Sequence, residues 1–190
     1  LPRQDNIGFA RANNIGCRHL EGETEYVLFL NPDVVLAADA LHMAVQSMQQ
    51  NERVGALAGR LMGYDFRTEG PTGLLDSTGI FRKWYGRWYD RGQGEADHGQ
   101  FGRPEDIPAA CGALLFCRKK ALEQVALAGR AVFDPDFFLY KEDIELCLRL
   151  RKKGWQVRYE PGVKGWHGRG WRQRSAMSLA LRRAAAESEL

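Results

Sequence analysis

The chain has 190 residues, 44% of them hydrophobic, and a formal net charge of +3. That length can bury one sizeable core, and the mild basic excess permits attraction to diphosphates or acidic lipid surfaces without demanding nucleic acid. No apolar run approaches the roughly 20 residues of a membrane span, and the four cysteines show no CxxC spacing, which argues against structural zinc and for reduced thiols in the cytoplasm.

In chain order, the start at Leu1 carries no Met, no strand and no secretory segment, and reads as part of a longer protein. A helix is predicted from about Gly8 to Leu20, where Phe9, Ala12, Ile15, Gly16 and His19 recur near helical spacing. Tyr26-Val27-Leu28-Phe29-Leu30 is a continuous apolar run, long enough for a strand buried on both faces. It stops at Asn31-Pro32-Asp33, because Pro32 cannot donate to a ladder and biases Asn31 to an extended conformation. A helix follows near 38–50, with Leu41, Val45 and Met48 on one side and Asp39 as a candidate cap. A buried strand is expected from Val54 to Leu61. From Gly63 to about Asp106 no period is sustained, and within this stretch Trp84-Tyr85-Gly86-Arg87-Trp88-Tyr89 suggests a loop or hairpin. Its aromatics suit stacking on sugar rings or bases, or plugging the edge of the core.

Ile107 to Cys117 reads as a strand and Lys119 to Leu127 as a helix. Phe137 to Tyr140 is aromatic and strand-like, and three carboxylates (Glu142, Asp143 and Glu145) then open a helix that closes at Gly154-Trp155. A further strand spans Gln156 to Tyr159, and Pro161-Gly162 reads as a turn before Trp166-His167. Gly168-Arg169-Gly170-Trp171-Arg172 has the composition of a phosphate-closing lid. A basic helix is expected over 171–190, either solvated or in peripheral contact with a membrane.

Three features carry chemistry. Acidic residues in a first helical turn face the positive end of the macrodipole, which favours their ionised form. An ionised carboxylate at the mouth of a sheet is what a hydroxyl needs if it must lose a proton, although acidic first turns also serve merely to stabilise helices. Asp33 lies beyond the carboxyl end of a strand, the edge where open α/β sheets bind ligands, and suits a hard divalent cation and a diphosphate. Asn-Pro-Asp is equally an ordinary turn. His167 is either a ligand or a satisfied structural histidine.

Taken in order, these pieces resemble the family 2 glycosyltransferases, inverting enzymes of the GT-A fold, and especially their rhamnosyltransferase-like branch. The resemblance covers Asn6 to about Trp171. It implies an α/β, Rossmann-like three-layer sandwich of the nucleotide-diphospho-sugar transferase type, incomplete at the N-terminus because the opening βαβ unit has no counterpart. Residues 1–170 would be the C-terminal part of that domain, and 171–190 an added helix. Asn6 to Gly16 is similar to the donor-side helix, which would put Gly8 and Asn13 in donor binding. Leu30-Asn31-Pro32-Asp33 resembles the variant DxD motif, so Asn31 and Asp33 would meet the donor and Asp33 the cation, Mg²⁺ or Mn²⁺. Ala110-Cys111-Gly112-Ala113 resembles the border of the acceptor site, making Cys111 and Gly112, with Trp84, acceptor contacts. Glu142-Asp143 resembles the pair that holds the general base, here Asp143. His167 matches a late histidine completing the metal site, and Arg169 would reach the donor.

The implied reaction moves a sugar from dTDP-rhamnose or a UDP-sugar to a saccharide or lipid-linked acceptor with inversion, with no nucleic-acid partner. Its expected setting is bacterial surface polysaccharide assembly in the cytoplasm, at the inner face of the plasma membrane. Two other classes fit parts of the chain. One is a non-catalytic remnant, and the other a polyanion-binding module using Trp84, Trp88, Trp171 and the terminal arginines.

Overall fold

The computed structural model describes residues 6–137 and 141–168. The first element is helix α1 (Phe9–Cys17), followed by strand β1 (Tyr26–Leu30), strand β2 (Val34–Leu36) and helix α2 (Ala40–Gln50). Strands β3 (Val54–Asp65), β4 (Gly70–Ser77), β5 (Ile80–Arg82), β6 (Trp88–Asp90), β7 (Glu105–Asp106) and β8 (Leu114–Arg118) come next. Helix α3 (Lys119–Val125), a short 3-10 turn (Ala128–Arg130), helix α4 (Glu142–Lys152) and strand β9 (Gln156–His167) complete the described part.

One mixed sheet organises the molecule, in the order β1-β8-β3-β9-β2, with β4 also paired to β3 and β7 to β9. The long central strands β3 and β9 run parallel, and the other pairs in the sheet are antiparallel. Helix α2 packs on β9 and β3, while α3 and α4 pack on each other and on β3. The core between them is built from small and branched residues, among them Ala56, Leu57, Leu115, Cys117, Leu146, Leu150 and Val157, all fully buried.

Several expectations are corrected. Among the described residues β1 bonds only to β8, and it alternates rather than being buried throughout: Val27 and Phe29 are inside while Leu30 is exposed. Helix α1 buries Ala10 and Asn14, not the stripe through Ala12 and His19. A polar residue can take the buried position because Asn14 Oδ1 accepts from the amides of Val132 and Phe133, each at 2.9 Å, and its Nδ2 donates to the Phe133 carbonyl at 2.7 Å. In α2 the buried set is Ala40, Ala44, Ser47 and Met48, and Leu41 lies outward. Of the strand expected from Ile107 to Cys117, only the part from Leu114 lies in β8; a turn precedes it, with Leu114 N donating to the Cys111 carbonyl.

Pro161-Gly162 does not end a strand. β9 runs through it, and the pairing with β3 jumps from Gly59↔Glu160 to Arg60↔Lys164, so Pro161, Gly162 and Val163 loop out. A proline is tolerated there because a bulged residue owes the ladder no donor. The consequence is functional, since the resumed register carries His167 to the strand end beside β2.

Candidate active site

The turn after β1 is fixed by the backbone. Asn31 N donates to the Ala113 carbonyl at 3.1 Å, and the Asn31 carbonyl accepts from Val34 N at 3.2 Å. The register Val34↔His167 then sets Asp33 beside the end of β9, where its carbonyl accepts from Gly168 N at 2.8 Å. The Asp33 side chain remains 40% exposed, and its Oδ1 stands 3.3 Å from His167 Nε2. On the far side of the ring, Asp76 Oδ2 lies 2.7 Å from His167 Nδ1.

Asp76 was not singled out by the sequence, and it is the residue that fixes the imidazole. It is fully buried on β4 and lies 91 positions from His167. The available signal was a carboxylate inside the run Leu74-Leu75-Asp76-Ser77-Thr78, where an unpaired charge would be costly to bury. A carboxylate on one ring nitrogen orients the other toward a metal and raises its basicity. Asp33 and His167 therefore fit a divalent cation as one carboxylate and one imidazole ligand. Among the described residues no three His, Cys, Asp or Glu side chains gather as a metal-binding group.

The Asn31–Ala113 bond leads directly to the second half of the site, because the amide of the preceding residue, Gly112 N, donates to Asp143 Oδ2 at 2.8 Å. Asp143 Oδ1 accepts from Ile144 N at 2.8 Å, holding the carboxylate across the start of α4. Gly112 suits this close approach. A Cβ at that position would lie 3.3 Å from both Cβ and Oδ2 of Asp143 and 3.5 Å from the Phe9 ring. The start of α1 thus abuts the same point, following Gly8, whose φ of 80° turns the chain into the helix.

The acidic pair behaves differently from the expectation that the helix terminus keeps both members ionised. Burial, reinforced by the charge of Asp143, pushes Glu142 up to about 7. Burial also pushes Asp143 up to about 6, opposed by the Gly112 and Ile144 amides and aided by the charge of Asp90. Desolvation outweighs the dipole because the dipole acts through a fraction of a charge, whereas burial removes the water that solvates a whole one. Glu142 is 6% exposed, and its Oε2 has no hydrogen-bond partner among the described residues.

The remaining expected residues fall in mixed positions. Cys111 is buried beside Gly112. Asn13 turns back on its own helix, donating to the Phe9 carbonyl at 3.0 Å, while its neighbour Asn14 makes the cross-chain contacts. Trp84 is 95% exposed at the turn between β5 and β6. Arg169, most of the expected lid and the helix over 171–190 lie outside the described residues. No described helix is long and apolar enough to cross a membrane.

Comparison with known proteins bears on this geometry. No curated protein matches the chain. The fold is similar to that of GalNAc-T7, solved with UDP, GalNAc and Mn²⁺, at a TM-score of 0.63 and 13% identity over 87% of this chain and 31% of that one. It is also similar to the mannosyltransferase PcManGT from Pyrobaculum calidifontis, solved with GDP-Man and Mn²⁺, at a TM-score of 0.58 and 20% identity over 98% of this chain and 43% of that one. This chain spans less than half the length of either, and the likeness establishes a Rossmann-like GT-A fold. The model for glycosyl transferase family group 2 matches residues 26–184, which include Asp33, Asp76, Gly112, Asp143 and His167, and the chain belongs to that family.

Proposed function

We propose that this chain transfers a sugar from a nucleotide-sugar donor, dTDP-rhamnose or a UDP-sugar, to a hydroxyl of a saccharide or lipid-linked acceptor, with inversion. The observation that carries the reading is Asp143, a partly buried carboxylate pinned by the Gly112 amide and raised to about 6. A base poised just below neutral pH is ionised when needed and basic enough to take a proton. The acceptor oxygen bonds to the anomeric carbon as its proton passes to Asp143. The bond from that carbon to the donor phosphate breaks, and its electron pair leaves with the diphosphate.

Asp33 and His167 would hold Mg²⁺ or Mn²⁺, whose charge offsets the negative charge gathering on the leaving group. Asp76 keeps the His167 ring turned for that role. Gly8, Asn31 and Arg169 are assigned to the donor, and Cys111 and Gly112 to the acceptor side. The two structural neighbours were solved with UDP or GDP-Man and Mn²⁺, which supports a nucleotide-sugar and a divalent cation here.

The test is Asp143→Asn, with nucleoside diphosphate release followed in the presence of donor, Mn²⁺ and acceptor. Loss of a general base lowers turnover by about 10²–10⁴-fold. Near-normal turnover would remove Asp143 from the role and leave Glu142 as the next candidate.

A further inference from the structure

The transfer reaction leaves the β5–β6 hairpin unexplained. Its root is anchored: Ile80 bridges Ala109, and the Arg91 guanidinium lies 4.5 Å from the centroids of Phe81 and Phe101. Its turn is closed by Lys83 N donating to the Arg87 carbonyl and Gly86 N donating to the Lys83 carbonyl. Beyond this framed root stand Trp84, 95% exposed, and Tyr85, 57% exposed, in an edge-to-face pair with centroids 5.4 Å apart.

Around these rings the polar groups are cationic. Arg82, Lys83 and Arg87 are all exposed, and no acidic residue occurs from Ile80 to Tyr89. Three positive charges on this one turn equal the formal excess of the entire chain, +3. Lys83 Nζ sits 4.2 Å from the Tyr89 ring and Arg82 Cζ 5.8 Å from the Trp88 ring, so two of the cations rest beside aromatic faces of the hairpin. A platform for a neutral sugar needs acceptors for hydroxyl protons as well as donors, and this tip offers charged donors without carboxylates or amides. Its chemistry complements a phosphate-bearing surface into which an amphipathic ring can sink.

We propose that the β5–β6 tip docks the protein on an anionic lipid surface. Trp84 and Tyr85 enter the headgroup layer while Arg82, Lys83 and Arg87 pair with lipid phosphates. The same hairpin ends at Asp90, whose charge acts on Asp143. If the transfer reading holds, docking presents the base to acceptors carried by that surface; docking itself does not depend on that reading.

The experiment is sedimentation of the protein with phosphatidylcholine vesicles, with and without phosphatidylglycerol. The expected result is binding that requires the anionic lipid and falls with salt. Each cation near such a surface is worth about fivefold in partitioning, so the triple variant R82E/K83E/R87E should partition at least on the order of 10²-fold less. Trp84→Ala, at a position with almost no packing to lose, should weaken binding while leaving the thermal transition in place. Failure of the parent protein to bind anionic vesicles overturns the proposal. So does undiminished binding by the triple variant, which would move the contact to another basic segment. Loss of acceptor affinity in Trp84→Ala with vesicle binding unchanged overturns it as well, and would make the tip a saccharide contact.

Discussion

Glu142→Gln offers a direct measure of what the site costs the fold. The Glu142 carboxyl rises from 4.5 to about 7 on folding, chiefly because it is buried. A folded-state value above the unfolded one means the native protein binds the proton more tightly. Stability from this group is therefore fully present below about pH 4.5 and is lost as pH rises through about 7. At about 1.4 kcal/mol per pH unit, a gap of about 2.5 units corresponds to roughly 3 kcal/mol between acid and mildly alkaline conditions. Gln cannot ionise, so the variant lacks this loss. It also carries an amide beside an oxygen position that has no partner, which adds an offset independent of pH.

The informative quantity is consequently the slope and not the absolute difference. Urea denaturation of both proteins from pH 4 to pH 9 should show the variant gaining on the parent by up to about 3 kcal/mol, with most of the change between about pH 4.5 and pH 7. A difference that stays flat across that range would show that Glu142 is solvated or neutralised in a way that contradicts its burial.

Other outcomes follow from the same geometry. With Asp143 at about 6, kcat/KM should fall about tenfold per pH unit below that value, and a limb displaced toward pH 4 would indicate a solvated base. Asp33→Ala should weaken Mn²⁺-dependent nucleoside diphosphate binding by calorimetry with little change in Tm, because the side chain is 40% exposed; a large Tm loss with affinity preserved would make it a turn residue. Asp76→Asn, which keeps the shape and removes the charge behind His167, should cost about 10–100-fold in Mn²⁺ affinity, and unchanged affinity would detach His167 from the cation.

Much of the local structure was legible because it depends on neighbours in the chain. The five-residue apolar run ended by Pro32, the helix that opens at Glu142 and the strand beginning at Gln156 are present where the sequence placed them. The order of Asp33, Gly112, Asp143 and His167 along the chain was enough to suggest the family. The Asn31–Ala113 and Gly112–Asp143 bonds then join three of those segments, with Asp33 two residues beyond Asn31.

Non-local energetics decided the rest. Helix periodicity did not pick out Asn14, because hydrophobic spacing has no means of registering that a buried amide is satisfied by a loop 118 positions away. The turn expected at Pro161 became a bulge because pairing with β3 on either side outweighed a local preference. Asp76 stayed unnoticed because its partner is brought to it only by β4 and β9 meeting on β3. The shift of the acidic pair runs upward for the same reason. A sequence records the helix terminus that favours charge, but burial under neighbouring elements is a property of the assembled molecule, and at Glu142 and Asp143 it is the larger effect.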